Sequence, residues 1–235
     1  MFKRIFRGLI RLVIVALMVA GGLVVYFRYL SNFRAQVLDA VQARVANFQI
    51  HELSYGEIPV MYRNAVIATE DRRFSWDPGV DPVGIVRSLI VDVQKDGYVE
   101  GGSTITQQVV DNTLIQRQKS LSYKLQQAFY AIGIYDTFSK ERTFAMYANM
   151  IYFGQGAYGL YNAAQTYFGK VPQELSAGEL TLLAGLPNAP STYDPFHNFA
   201  LARQRQAVVL QNMVDAQVIT KGQAAQFYRE PIVLK

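Results

Sequence analysis

From Leu12 to Phe27 the sequence carries no charged side chain, and Lys3, Arg4, Arg7 and Arg11 stand just before it. Leu9 and Ile10 lengthen the run if Arg11 lays its stem along the apolar surface and lifts its guanidinium into water. About 20 apolar residues in a helix cross a bilayer core, so residues 9–29 are predicted to form a transmembrane anchor. The basic flank places the tail, residues 1–8, in the cytoplasm and everything after Arg28 on the outer face. A cleaved signal peptide is the alternative, but no A-x-A site follows the apolar core. A helix buried in a globular core normally keeps some polar face, and this stretch has none.

Residues 30–56 mix Phe, Leu and Val with Arg and Asp at roughly helical spacing and read as a juxtamembrane helix and linker. Residues 57–235 then form one domain, long enough to bury a substantial core. Its pattern is mainly α. Pro59 suits a first helical turn before the apolar run Ala65 to Ala68, and Ser139 before Lys140 and Glu141 looks like a capped start. Gly154, Gly156, Gly159 and Gly169 divide the region after Met150 into turns and short helices. The formal charge of +5 suits an anionic partner, which nucleic acid, lipid headgroups or a phosphorylated substrate could each supply. With no cysteine, thiolate chemistry and disulfides are excluded, and the two histidines, His51 and His197, make a zinc cluster a poor fit.

Two stretches carry candidate chemistry. In ATEDRRFSWDPGVD, Glu70 and Asp71 close an apolar helix, where partial burial raises a carboxyl pKa toward the range of a general base. The same pair also reads as an ordinary helix end with a surface ion pair. In GGSTITQQ, Gly101 and Gly102 lead into hydroxyls and amides with no charge among them. That run is either a turn before a helix capped by Ser103, or a cradle for the hydroxyls and amides of a sugar. It is not a phosphate-binding P-loop, because no Gly-Lys-Ser/Thr follows.

Taken in order, AVIATEDRRFSWDPGVDPVGIVRSL, GGSTITQQVV, YANMIYFGQGAYGLYNAAQTYFGK, LAGLPNAPSTYDP and RQAVVLQNM resemble the peptidoglycan glycosyltransferase domain of family 51 over roughly residues 57 to 225. The resemblance implies a lysozyme-like helical fold with a membrane-proximal jaw, at the outer face of a bacterial cytoplasmic membrane. It implies polymerisation of lipid II into glycan: Glu70 deprotonates the acceptor 4-hydroxyl, which attacks the donor anomeric carbon with inversion and expels a polyprenyl pyrophosphate. Asp71, Gly102, Ser103, Thr104, Thr106, Gln107 and Gln108 then line the sugar and pyrophosphate cleft. Arg117, Lys119 and Lys124 are the cations available to the leaving group, or else a solvated basic face near anionic lipid. A divalent metal, Mg or Mn, is a candidate cofactor. Asn149 and Arg205 match the fourth and fifth motifs and are expected to be mainly structural. The implied partners are lipid II, the growing glycan strand, membrane lipids and a transpeptidase or other cell-wall synthesis protein, with no nucleic acid. No SxxK, SxN or KTG set follows, so the chain looks like the monofunctional form.

Four positions depart from the family pattern. Asp77 stands for a histidine, Asp111 for a lysine, Tyr123 for an arginine and Gln127 for a glutamate. On the sequence, Gln127→Glu is expected to raise turnover, and Asp111→Lys to help separately. Two further readings stay open: a degenerate homologue that binds lipid-linked saccharide or acts as a cell-wall synthesis scaffold, and glycan cleavage by a lysozyme-like glutamate. The second leaves TITQQ and GAYGLYNAAQTYFGK unexplained.

Overall fold

The structure is a computed structural model that describes residues 15, 18, 19, 21–81, 103–116, 118 and 120–235. Of the expected anchor, residues 9–14, 16, 17 and 20 lie outside the described residues, as do Gly101, Gly102, Arg117 and Lys119. Among the described residues no helix is long and apolar enough to cross a membrane. The expected mainly helical class is what is found. No strand occurs among the described residues, and a single isolated bridge joins Tyr152 and Tyr158.

The chain enters through a π-helical turn, Tyr26–Leu30, and continues as α1, Phe33–Asn47. Phe33, Val37 and Val41 recur every four residues, so they fall on one face of α1, and all three are buried. That face packs on two later helices, α3 (Ile105–Thr113) and α5 (Lys140–Met150), so α1 contributes to the domain core. Arg44 ties it down by donating to Asn112 Oδ1 at 2.9 Å. Between them in the chain comes α2, Val60–Glu70, for which Pro59 serves as N-cap. The remaining helices are α4 (Leu121–Thr137), α6 (Leu160–Phe168), α7 (Ala177–Gly185), α8 (Phe199–Asp215) and α9 (Lys221–Arg229).

Two groups of helices flank the site. One is α2, α7 and α8; the other is α3, α4 and α5. Helix α7 reads AGELTLLAG, has no charged face apart from Glu179, and is buried along most of its length. Glu179 is tolerated there because it closes a capping box with Ser176 and pairs with Lys170 at 2.7 Å. Gln206 of α8 stitches the group together by donating to Gly178 O at 2.8 Å and to Thr181 Oγ1 at 3.0 Å. In the region after α5 the four glycines do break the chain, each with positive φ. At Gly159 a Cβ would lie 2.6 Å from Asn149 O, so no other residue fits without moving backbone.

Candidate active site

Glu70 is the last residue of α2, and its position at the helix end turns its carboxylate toward α3 and α8. Gln108 of α3 donates to Oε2 at 3.1 Å, and Arg205 of α8 approaches Oε1 at 3.5 Å. The Glu70 and Arg205 side chains are each 15% exposed, so the pair sits at the mouth of the core. Tyr62 and Tyr147, both fully buried, add ring surface and feel the Glu70 charge. Burial raises the Glu70 pKa above its ordinary value, and the Gln108 hydrogen bond and the Arg205 charge partly offset that rise. Such a carboxylate is a stronger base than one exposed to water.

Asp71 points the other way. Its Oδ2 accepts the Ile105 backbone N–H at 3.1 Å, which anchors the start of α3 beside the end of α2. An anion at the first turn of a helix also faces the positive end of its dipole. Burial, and then the nearby Asp77, push its pKa up to about 7. Asp77 is itself fully buried, held by Lys140 Nζ at 3.2 Å and by the Gly79 N–H at 2.7 Å. Gly79 takes a φ of +90, and a Cβ there would meet Ala131 O at 2.4 Å. The loop 71–79 is thereby pinned between α4 and α5 through a carboxylate at the place the family pattern fills with histidine.

The uncharged run divides by task. Thr104 caps α3, accepting from the Gln107 N–H at 3.0 Å while Gln107 Oε1 accepts from the Thr104 N–H at 2.9 Å. Thr104 also donates to Gly79 O at 2.7 Å. The cap is therefore Thr104 and not Ser103, because Thr104 has a glutamine three residues on that reaches back, whereas Ser103 has Thr106. Thr104, Thr106 and Gln107 are buried. The Thr104 and Gln107 side chains hold the start of α3 in place, the buried Thr106 hydroxyl has no hydrogen-bond partner among the described residues, and Ser103 and Gln108 have more open surroundings.

Three of the residues that depart from the family pattern touch each other. Asp111 Oδ1 accepts from Tyr123 OH at 2.5 Å and from Gln127 Nε2 at 2.5 Å. Gln127 Oε1 in turn accepts from Lys124 Nζ at 3.1 Å and Gln107 Nε2 at 3.4 Å, and Lys124 donates to Ser103 Oγ at 3.2 Å. Ser103, Gln107, Gln108 and Lys124 are thus brought together with Glu70 around α3. Asn149 keeps the expected structural role, exchanging two hydrogen bonds of 2.9 Å with the Leu53 backbone. Arg205 does not: it contacts Glu70 directly, and only its place in RQAVVLQNM hinted at this. Among the described residues no three acidic or imidazole groups converge on one point, so any divalent cation would have to be held by one or two carboxylates together with the substrate's phosphates.

Glu70 is thus held between an amide and a guanidinium at the junction of two helix groups. The transglycosylase family model matches residues 36–214, and the chain belongs to this family, the glycosyltransferase family 51 domain. It is 44% identical over 183 residues to penicillin-binding protein 1A of Aquifex aeolicus, covering 78% of this chain and 25% of that one. Penicillin-binding protein 1A of Haemophilus influenzae is 37% identical over 236 residues, covering 98% of this chain and 27% of the relative. This chain therefore spans about a quarter of the length of those relatives. A protein of Cupriavidus necator that carries a provisional transglycosylase designation is 37% identical over 237 residues, 99% of this chain and 100% of its own length. The crystal structure of the Haemophilus influenzae protein aligns at 30% identity over 56% of this chain and 16% of that one, with a TM-score of 0.36.

Proposed function

We propose that this glycosyltransferase polymerises lipid II into peptidoglycan glycan strands, with its domain on the outer face of a bacterial cytoplasmic membrane and residues 9–29 as a single anchor. The observation that carries the reading is Glu70 between Gln108 and Arg205, with a pKa raised by burial, in a chain of this family. Glu70 takes the proton of the acceptor 4-hydroxyl, and Gln108 holds the carboxylate so that one oxygen faces that hydroxyl. The acceptor oxygen attacks the donor anomeric carbon as the bond to the polyprenyl pyrophosphate breaks, and the configuration inverts. Negative charge then gathers on the departing pyrophosphate, and Lys124, which donates to Ser103, is the cation assigned to it in this reading. Arg117 and Lys119 are further candidates outside the described residues. Arg205 keeps Glu70 ionised before proton transfer, when a buried carboxylate would otherwise tend to hold a proton. Thr104, Gln107 and Asp71 support the cleft by fixing α3, while Ser103 and Gln108 offer the polar surface a saccharide uses. No step here runs through a metal.

The experiment is initial-rate consumption of labelled lipid II by the purified full chain. Glu70→Gln should keep the fold and lose about 10²–10⁴-fold in rate, the usual cost of removing a general base. A variant that keeps wild-type turnover would remove Glu70 from the chemistry. The scaffold reading, which Asp111 and Gln127 favour, expects no glycan even from the wild type.

A further inference from the structure

Lys124 offers only donors and a carboxylate at position 111 offers only acceptors, yet both bond to Gln127. A carboxamide serves both because it carries a donor and an acceptor on one rigid plane. The Asp111 and Tyr123 side chains draw the Nε2 end, at 2.5 and 3.3 Å, which leaves Oε1 facing Lys124 and Gln107. Gln127 is fully buried, so this orientation is set by its protein neighbours and not by solvent. Were the amide to turn over, its NH₂ would face the Lys124 ammonium and its oxygen would face Asp111, and both contacts would be lost.

We infer that Asp111 is a positioning residue that, by locking the Gln127 amide in one orientation, holds the Lys124 ammonium at Ser103 where the anionic leaving group departs. The inference rests on the glycosyl-transfer reading above, in which Lys124 meets pyrophosphate. It also reverses the sequence expectation. Gln127→Glu alone removes the donor that faces Asp111 and leaves two carboxyl groups in contact, which keep that contact only while they share a proton. Combining Gln127→Glu with Asp111→Asn exchanges amide and acid: the new asparagine donates to the new glutamate, whose other oxygen still accepts from Lys124. The two changes therefore act together and not separately.

The test uses the purified full chain in detergent with two readouts, affinity for a polyprenyl pyrophosphate and kcat/KM for lipid II, each across pH and alongside thermal melting. Gln127→Glu should lose about 10²-fold relative to wild type near neutral pH, the scale of a misplaced site group, and its affinity should recover toward the wild-type value as pH falls and the shared proton returns. Gln127→Glu with Asp111→Asn should regain most of that loss and keep only the pH dependence of the wild type. If Gln127→Glu does not fold, Asp111→Asn, which keeps an acceptor, should retain more affinity than Asp111→Leu, which does not. Additive effects in the double variant, a flat pH profile for Gln127→Glu, or a wild type that does not bind polyprenyl pyrophosphate would each overturn the inference. The two claims fail separately. A wild type inert toward lipid II whose affinity data still show the coupled recovery defeats glycosyl transfer and leaves the positioning role. Active wild type with additive variants does the reverse.

Discussion

Arg205 and Glu70 stand 135 residues apart in the chain and meet at 3.5 Å, so the charge on one sets the proton affinity of the other. The sign is clear. Burial raises the Glu70 pKa and Arg205 lowers it, so Arg205→Met should raise it further. A base must be ionised to act, and activity is lost as pH falls through that pKa; the acid limb of the rate profile for Arg205→Met should therefore move to higher pH. A pH–rate profile for lipid II consumption checks this, and an unmoved acid limb would mean that Arg205 does not govern the base. The place of Glu70 at the partly buried end of a helix is legible from the acidic pair closing an apolar run, whereas its role as base rests on the order of motifs along the chain. The contact of Arg205 is not legible, because nothing near it in RQAVVLQNM says which carboxylate it meets. The contacts among Asp111, Tyr123 and Gln127 escape for the same reason: each reads alone as a loss of the expected charge, and only their shared oxygen shows that they form one unit.

At the level of the helix, α3 is the part on which the cleft depends, since it presents Gln108 to Glu70, Gln107 to Gln127 and its first N–H to Asp71. Its start is fixed by the Thr104 and Gln107 capping box and by the Thr104 bond to Gly79 O. Thr104→Ala removes the side-chain half of that box and should cost about 1 kcal/mol of stability. It should also lower kcat more than a surface change of equal stability cost, because the fraying turn carries Gln107 and Gln108. Thermal melting and lipid II kinetics measured on the same preparation would separate the two effects. Element existence was readable from sequence: Ser139 caps α5, accepting from the Arg142 N–H at 3.2 Å, as its neighbours suggested. The start of α3 falls one residue later than expected because Ser103 is by type the better cap, and only the reach of Gln107 back to Thr104 decides otherwise.

On the scale of the whole molecule, the end of the apolar N-terminal run is part of the domain. Phe27 is buried, its ring 4.9 Å from Phe129 and 4.7 Å from Phe33 between centroids, and it lies where Gly133 leaves room on α4. Arg28 adds an ion pair with Asp136 at 3.0 Å. Truncation should therefore have two separable outcomes. Removing residues 1–20 should reduce activity in bilayers more than in detergent micelles, where substrate and enzyme already share a phase. Removing residues 1–29 should in addition lower the melting temperature, because it strips Phe27 from its place; burying such a side chain is worth roughly 1.5–3 kcal/mol. Equal loss in bilayers and micelles for the shorter cut would deny the segment an anchoring role. The docking also gives α4 a second character. Gln127 and Lys124 occupy one half of this helix, while Gly133 and Asp136 hold the N-terminal segment on the other. A helix advances about 1.5 Å and turns about 100° per residue and scarcely stretches. Helix α4 is thus a ruler: it sets how far the Lys124 ammonium stands from whatever fastens the preceding segment. A single inserted residue between the two halves would change the bearing of that charge far more than its distance.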